Sequence, residues 1–456
     1  MKIKQRETKA GGAVSPMDFI HDLTLEDLPP NVLHMARRCL VDTLAVWAAG
    51  HATQPSRIAR DHAAKRYAGT LPMPFDGRKV NSVGLAFAGA ATIDAIDGHD
   101  GHQLCKGHAS VALIPALFGE LGSAPDCTLE ELLTHLVVGE EIAIRAGLSL
   151  HATVPDYHSS GAWNALGCAA IAARMRGLSV EKTRHALGIA EYYGPRAQMM
   201  RCIAFPTMVK DSSSWGALTG ISATDLAEDG FTGAPAITCE ADEVRDIWAD
   251  LGHNWRILES NFKAYPVCRW AHPAIVAALE LMQENKVSVP DIQEVIVTTF
   301  HEATQLNTRR PADGDEAQYS LPLTLALAIT HGELLPEHIL PAAYDEMRVW
   351  QLVDKVSFAQ SDTYNAAFPG ERYADVAFIM EDGQRFASKT AVAPGNYNAP
   401  LTDKEITQKL DHYSAAVLSV QDRQKLLNIL TDPALAPTPA ELIKIIVTRT
   451  VSLDIK

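Results

Sequence analysis

Residues 83–110 read VGLAFAGAATIDAI and then DGHDGHQLCKGHAS. The first half, Val83–Ile96, is an apolar run rich in small residues and longer than strands usually are, so it predicts a buried helix. The second half is its opposite. Asp97, His99, Asp100, His102 and His108 fall within twelve residues, set among glycines. A solvated loop has little reason to gather groups that exchange protons near neutral pH, whereas general acid–base chemistry needs them held close together. Two other readings stand beside this one. His99 and His102 are three apart and could ligate a metal, although neither an HExxH nor a CxxC spacing accompanies them. The segment could also be the polar end of a helix that stops at Gly98.

The helical reading extends outward from this stretch. From about residue 16 to 260, Val32–Ala49, Ser110–Leu121, Leu129–Leu148 and Ala162–Met175 repeat the pattern of long Ala-, Leu-, Ile- and Gly-rich runs. Thr128 with Glu131 predicts a capping box, and Ser179 offers another helix start. The small residues Gly84, Ala86, Ala88, Gly89, Ala90 and Ala91 predict close helix packing. After Pro290 the character changes. Glu294–Phe300 reads as a strand, and Asp375–Ile379 with Arg385–Ala391 reads as a hairpin around Asp382-Gly383. Helical stretches near Pro322–Thr330, Pro336–Asp345 and Met347–Lys355 lie between these strands, and Asp403–Lys425 returns to helix. The expected architecture is mainly α with an α+β second domain. A large helical domain covers 1–269, a smaller α+β lid covers 270–398, and 399–456 rejoins the helices, with a cleft between the domains as the ligand site.

At 456 residues the chain is longer than one core usually grows, and 47% apolar with 21% charged residues is an ordinary globular balance. No apolar run reaches the roughly 18 uncharged residues a membrane helix needs. The polar N-terminus, MKIKQRETKAGGAVSP, reads as a frayed arm. Seven cysteines stand singly, without a CxxC pair, a usage that fits a reducing cytoplasm. A net charge of −15 without any Lys/Arg block argues against nucleic acid or an anionic membrane as partner. It also means that an anionic substrate would need positive charge supplied locally.

Three further clusters could carry chemistry. Asp156-Tyr-His158-Ser159-Ser160-Gly161 leads into the helix at Ala162, where a serine cap would place His158 beside backbone amides that keep it neutral. Lys210-Asp-Ser-Ser-Ser214 opens the run Ala217–Ala227 and could present an ammonium to a carboxylate, with Arg196 and Arg201 upstream as further anion holders. Lys263-Ala-Tyr265-Pro-Val-Cys268-Arg269-Trp-Ala-His272 lies where the two domains meet. Cys268 reads as a buried structural thiol rather than a nucleophile.

Taken together, these segments resemble the family of 2-methylcitrate dehydratase, cis-aconitate decarboxylase and iminodisuccinate epimerase, the MmgE/PrpD family. Arg38-Cys-Leu-Val-Asp42-Thr-Leu-Ala resembles its early DTLG helix, and Gly107-His108-Ala-Ser110…Pro115-Ala-Leu its H-x-S…P-A-L segment. Glu140-Glu141-Ile-Ala-Ile-Arg145-Ala-Gly147 and Ala317-Gln-Tyr-Ser-Leu-Pro322 match two more stations. So do His158, Met208-Val-Lys210 and Lys263-x-Tyr265-Pro-x-Cys268…His272. The resemblance implies a homodimer with a helical domain and an α+β lid, no metal and no organic cofactor. It implies catalytic Asp97, His108, His158, Lys210 and Lys263. Candidate substrate-binding groups are His102, Arg196, Arg201, Tyr265, Arg269 and His272.

The implied chemistry is removal of a proton next to a carboxylate of a small polycarboxylate, with positive groups holding the enediolate-like charge. His158 would act opposite Asp97 or His108, while Lys210 and Lys263 bind carboxylates. Family lyases carry paired acids and a Thr or Tyr where this chain has Asp97-Gly-His-Asp100-Gly-His102. By elimination that departure points to an epimerase of iminodisuccinate or a similar C4 dicarboxylate. A dehydratase or decarboxylase is the alternative, and a metal hydrolase or a non-enzymatic scaffold are the competing classes.

Overall fold

The computed structural model describes residues 14–344 and 346–447. Most of the N-terminal arm lies outside these residues, but Ser15 and Pro16 are already structured. Ser15 Oγ accepts from the Asp18 amide at 3.1 Å and starts the helix Pro16–Asp22.

The predicted runs are helices: Pro30–Gly50, Ser82–Asp94, Ser110–Glu120, Leu129–Thr153, Gly161–Met175, Val180–Tyr193 and Ser213–Glu228. Thr128 and Glu131 form the expected capping box, and the Ser179 side chain accepts from the Lys182 amide at 3.3 Å. Gly161–Met175 is buried on almost every side, so it is a central helix rather than an amphipathic one. Leu129–Thr153 and Ser213–Glu228 pack along it. Small residues make such approaches possible. A Cβ on Gly89 would lie 2.7 Å from Cζ2 of Trp47 and 2.8 Å from Cβ of Pro115, both closer than carbon atoms tolerate.

The α+β part is built on a mixed sheet. Ile292–Thr299 runs parallel to Val356–Gln360 and antiparallel to Tyr373–Met380, which continues into Arg385–Ala387 and also pairs with Ala391–Val392. The helix His272–Asn285 covers this sheet. The hairpin turn is the expected one, with Gly383 at φ 84° donating to the Met380 carbonyl. The parallel strand Val356–Gln360 was not anticipated.

Two helical expectations need correction. The stretch expected as a helix over 336–345, whose last residue lies outside the described ones, instead forms two short 3₁₀ turns, Pro336–Ile339 and Pro341–Ala343, because Pro341 holds Leu340 in extended conformation. Residues 403–425 do not form one helix. The chain breaks after Ser414, and Ser419 caps a new helix, Val420–Thr431, by accepting from the Asp422 amide at 3.1 Å. The helix Asp403–Ser414 lies on Pro30–Gly50, which returns the C-terminal segment to the helical part. Among the described residues no helix is long and apolar enough to cross a membrane.

Candidate active site

The reactive stretch after Asp94 is an ordered, buried loop. Gly101–His102 pairs with Ser260–Asn261 as a two-residue antiparallel ladder, which brings the 260s segment alongside. At its start, the Asp97 amide donates to Gln318 Oε1 at 2.7 Å, while Gln318 Nε2 donates to the carbonyls of Ala95 and Gly314. Lys409 supports it from the far side. Its buried Nζ reaches Asp42 at 2.6 Å and donates to the carbonyls of Gly98 at 2.5 Å and Lys263 at 3.0 Å.

Between the two parts lies a cavity of about 110 Å³, whose polar lining includes Asp97, His102, Lys106, His108, Asp211, Lys263, Arg269, Tyr319 and Arg372. Lys263 donates to Asp97 within it. Burial would push the Asp97 carboxyl up, but Lys263 and the neighbouring imidazoles hold it well below the usual carboxylate range. The His108 ring stands 4.4 Å from the ring of His99, edge to face, and its Nδ1 meets the Asp100 carbonyl at 2.5 Å. A carbonyl only accepts, so Nδ1 carries the proton and Nε2 presents a lone pair. Burial, reinforced by His99 and Lys263, holds His108 well below the ordinary histidine range, in the neutral form that a base requires.

Asp100 and His99 turn out to be structural. His99 is fully buried against Asp94 at 3.3 Å, and Asp100 accepts from the Ser110 amide at the start of Ser110–Glu120. Ser110 Oγ in turn donates to the buried Glu140 at 2.5 Å. Among the described residues no three His, Cys, Asp or Glu side chains converge as a metal site would need.

Ser160 and Asp211 belong to the same wall as His108. Ser160 Oγ accepts from the His108 amide at 2.8 Å and donates to Asp211. Ser160 therefore does not cap its helix, and no side-chain cap is present there. The second oxygen of Asp211 is buried without a partner. Burial pushes this carboxyl up to about 7, so it holds a proton near neutral pH. Gly107 makes the contact possible, since a Cβ there would lie 2.3 Å from Ser160 Oγ.

Three further cations, Lys106, Arg269 and Arg372, line the cavity. Arg269 donates to the carbonyls of Phe262 and Pro394 and to Asn396, and Lys106 donates to the Gln103 carbonyl at 2.8 Å. Arg372 enters from the sheet domain. His102 also lines the cavity, held by Glu259 at 3.2 Å.

Of the catalytic candidates, Asp97, His108 and Lys263 meet in the cavity, whereas His158 and Lys210 are not among its lining residues. His158 is half-buried at the end of the preceding loop, its amide donating to His151 at 3.0 Å. Lys210 is buried 3.1 Å from Asp315 of the α+β part, with its Nζ 5.5 Å from the centre of the Tyr319 ring. Of the binding candidates, His102 and Arg269 line the cavity. Arg196 and Arg201 are exposed, and Tyr265 and His272 meet edge to face at 5.2 Å outside it. Cys268 lines the cavity as a buried thiol pushed up to about 12 by burial, which keeps it inert as a nucleophile. Sequence reasoning missed Asp211, Lys106 and Arg372 as site residues. Asp211 sits next to Lys210 in a segment already singled out, so its neighbour was the available signal.

The MmgE/PrpD N-terminal domain model matches residues 17–249, and the MmgE/PrpD C-terminal domain model matches residues 265–432. The chain is 22% identical over 471 residues to the cis-aconitate decarboxylase-like protein oryM of Aspergillus oryzae, covering 94% of this chain and 96% of that protein. It is 22% identical over 446 residues to the cis-aconitate decarboxylase of Homo sapiens, covering 90% of this chain and 89% of the human protein. The mouse cis-aconitate decarboxylase is likewise 22% identical, over 441 residues. With both halves of the family pattern matched in order across a helical part and a mixed-sheet part, the chain belongs to the MmgE/PrpD family.

Proposed function

We propose that this chain is a cofactor-independent lyase on a small unsaturated polycarboxylate, of the kind that cleaves a carbon–carboxylate bond. The epimerase expectation gives way to this reading for a geometric reason. Inversion at carbon needs proton carriers on opposite faces, and His158 was expected to supply one of them. His158 is absent from the cavity lining, Asp97 is engaged with Lys263, and the other two carriers, His108 and Asp211, are tied to one wall through Ser160. The names of the relatives, cis-aconitate decarboxylases, support the same choice.

In the proposed reaction the carbon–carboxylate bond breaks and its electron pair forms a new double bond to the adjacent carbon. The displaced π pair arrives on the carbon next to a remaining carboxylate, as an enediolate. Lys263 and the cationic lining stabilise that charge, and a proton from Asp211 or from substrate-charged His108 quenches the carbon. Carbon dioxide leaves, and one proton is consumed. The observation that carries this reading is that Ser160 ties His108 and Asp211 to one wall of a cavity that Lys106, Lys263, Arg269 and Arg372 also line.

Incubation with cis-aconitate in deuterated water, followed by NMR, tests it. The expected result is an unsaturated diacid carrying one deuterium next to a carboxylate, with release of carbon dioxide. Deuterium entering a C4 dicarboxylate with inversion, and no loss of carbon dioxide, would restore the epimerase. Conversion of a hydroxylated tricarboxylate to an alkene with every carboxylate kept would establish the dehydratase.

A further inference from the structure

The cavity contains cations that its own acids do not neutralise. Asp97 is engaged with Lys263, Asp94 lies against His99, and Asp211 accepts from Ser160. Lys106, Arg269 and Arg372 line the same cavity, and none of the three has a carboxylate at ion-pair distance among the described residues. Arg269 at least donates to two carbonyls and to Asn396. Arg372 has less. It is 7% exposed, its Nε is buried without a hydrogen-bond partner, and its guanidinium lies over the face of the Phe368 ring at 5.9 Å. A buried guanidinium left in this state is costly, and an anion is what would relieve it.

The surroundings of Arg372 fix it beside Lys106. Gln103 Nε2 donates to the Pro369 carbonyl at 3.3 Å and to the Gly370 carbonyl, so the loop of the helical part is stitched to the segment just before Arg372. Lys106 Nζ is itself held by the Gln103 carbonyl. Both side chains line the same cavity, and burial, reinforced by Arg372, brings the Lys106 ammonium down to about 8. A planar guanidinium takes a carboxylate through two parallel hydrogen bonds, and an adjacent ammonium adds charge.

We propose that Arg372, assisted by Lys106, is the specificity-determining anchor for a carboxylate of the substrate that takes no part in bond breaking. This rests on the polycarboxylate reading above and narrows it. The substrate must carry a further carboxylate spaced to reach Arg372 while its reacting carbon faces His108. The anchor joins the two parts of the molecule, because Lys106 comes from the helical loop and Arg372 from the sheet.

Calorimetric titration of the full chain with propane-1,2,3-tricarboxylate, which has no double bond to react, tests the anchor apart from turnover. Glutarate, the same skeleton without the central carboxylate, is titrated alongside. R372M should weaken tricarboxylate binding by about 10- to 100-fold and largely remove the preference over glutarate, with R372K intermediate. Without ligand, R372M should melt no lower than the parent, since an uncompensated buried cation has been removed. A tricarboxylate preference that survives R372M, or a lower melting temperature with unchanged binding, would overturn the anchor. Arg372-dependent binding without any lyase product would sink the reaction proposed above and leave the anchor standing. Decarboxylation indifferent to R372M would do the reverse.

Discussion

His108 and Asp211 share a wall, yet their surroundings drive their proton affinities in opposite directions. Burial depresses an imidazole and raises a carboxyl, so the two exchange their usual roles near neutral pH. If Asp211 delivers the proton, kcat/KM should fall about tenfold per pH unit above about 7, as the acid form is lost. D211N should lower kcat by about 10²- to 10⁴-fold and abolish that limb. A limb that persists in D211N and moves with Lys106→Met belongs instead to the ammonium, which titrates at about 8. Stability gives an independent check of sign. The folded value of Asp211 lies above its ordinary 3.8, so its contribution is greatest at low pH and declines as pH rises toward 7. Relative to the parent, D211N should therefore gain stability between pH 5 and 8 in urea titrations. Single charged residues of this kind are hard to read in a sequence. Asp211, Lys106 and Arg372 look like solvated side chains until tertiary structure removes their water, whereas the density of Asp97–His108 announced itself.

Elements differ in legibility for a related reason. Long apolar runs such as Leu129–Thr153 and Gly161–Met175 carry their own signal, and so does the Asp382-Gly383 turn. The two-residue ladder of Gly101–His102 with Ser260–Asn261 has no local pattern, because its reason lies 158 positions away. The break between Ser414 and Ser419 was missed because the apolar pattern runs through it, and only the Ser419 cap marks the restart. The helix Asp403–Ser414 nonetheless has a definite task. It delivers Lys409 into a buried pocket where one ammonium neutralises Asp42 and holds the carbonyls of Gly98 and Lys263, which flank the Asp97–Lys263 pair. Lys409→Met leaves the fully buried Asp42 without its cation, and should cost about 3–5 kcal/mol in denaturant unfolding. The double variant with Asp42→Asn should recover part of that loss. Full stability of Lys409→Met alone would show that Asp42 is already neutral in the parent.

At the scale of the whole molecule, the site works only if the helical part and the α+β part stay in register, and Lys210 is placed to enforce this. The sequence suggests a lysine presented to a carboxylate of the substrate. The carboxylate it meets is Asp315 of the other part, at 3.1 Å, with both side chains buried, and its Nζ lies 5.5 Å from the centre of the ring of Tyr319, which lines the cavity. An interdomain strut and a substrate ligand make different predictions. For a strut, K210M and D315N should each destabilise by about 3–5 kcal/mol, because each strands a buried charge. The double variant should then lose much less than the two losses added, a coupling of about 1–3 kcal/mol in a double-mutant cycle. Turnover well below the melting temperature should survive in all three proteins, since none of the removed atoms lines the cavity. A K210M protein that melts like the parent but turns over nothing, beside a fully active D315N, would return Lys210 to the substrate. In that case the contact with Asp315 would be a resting arrangement that opens when the polycarboxylate enters.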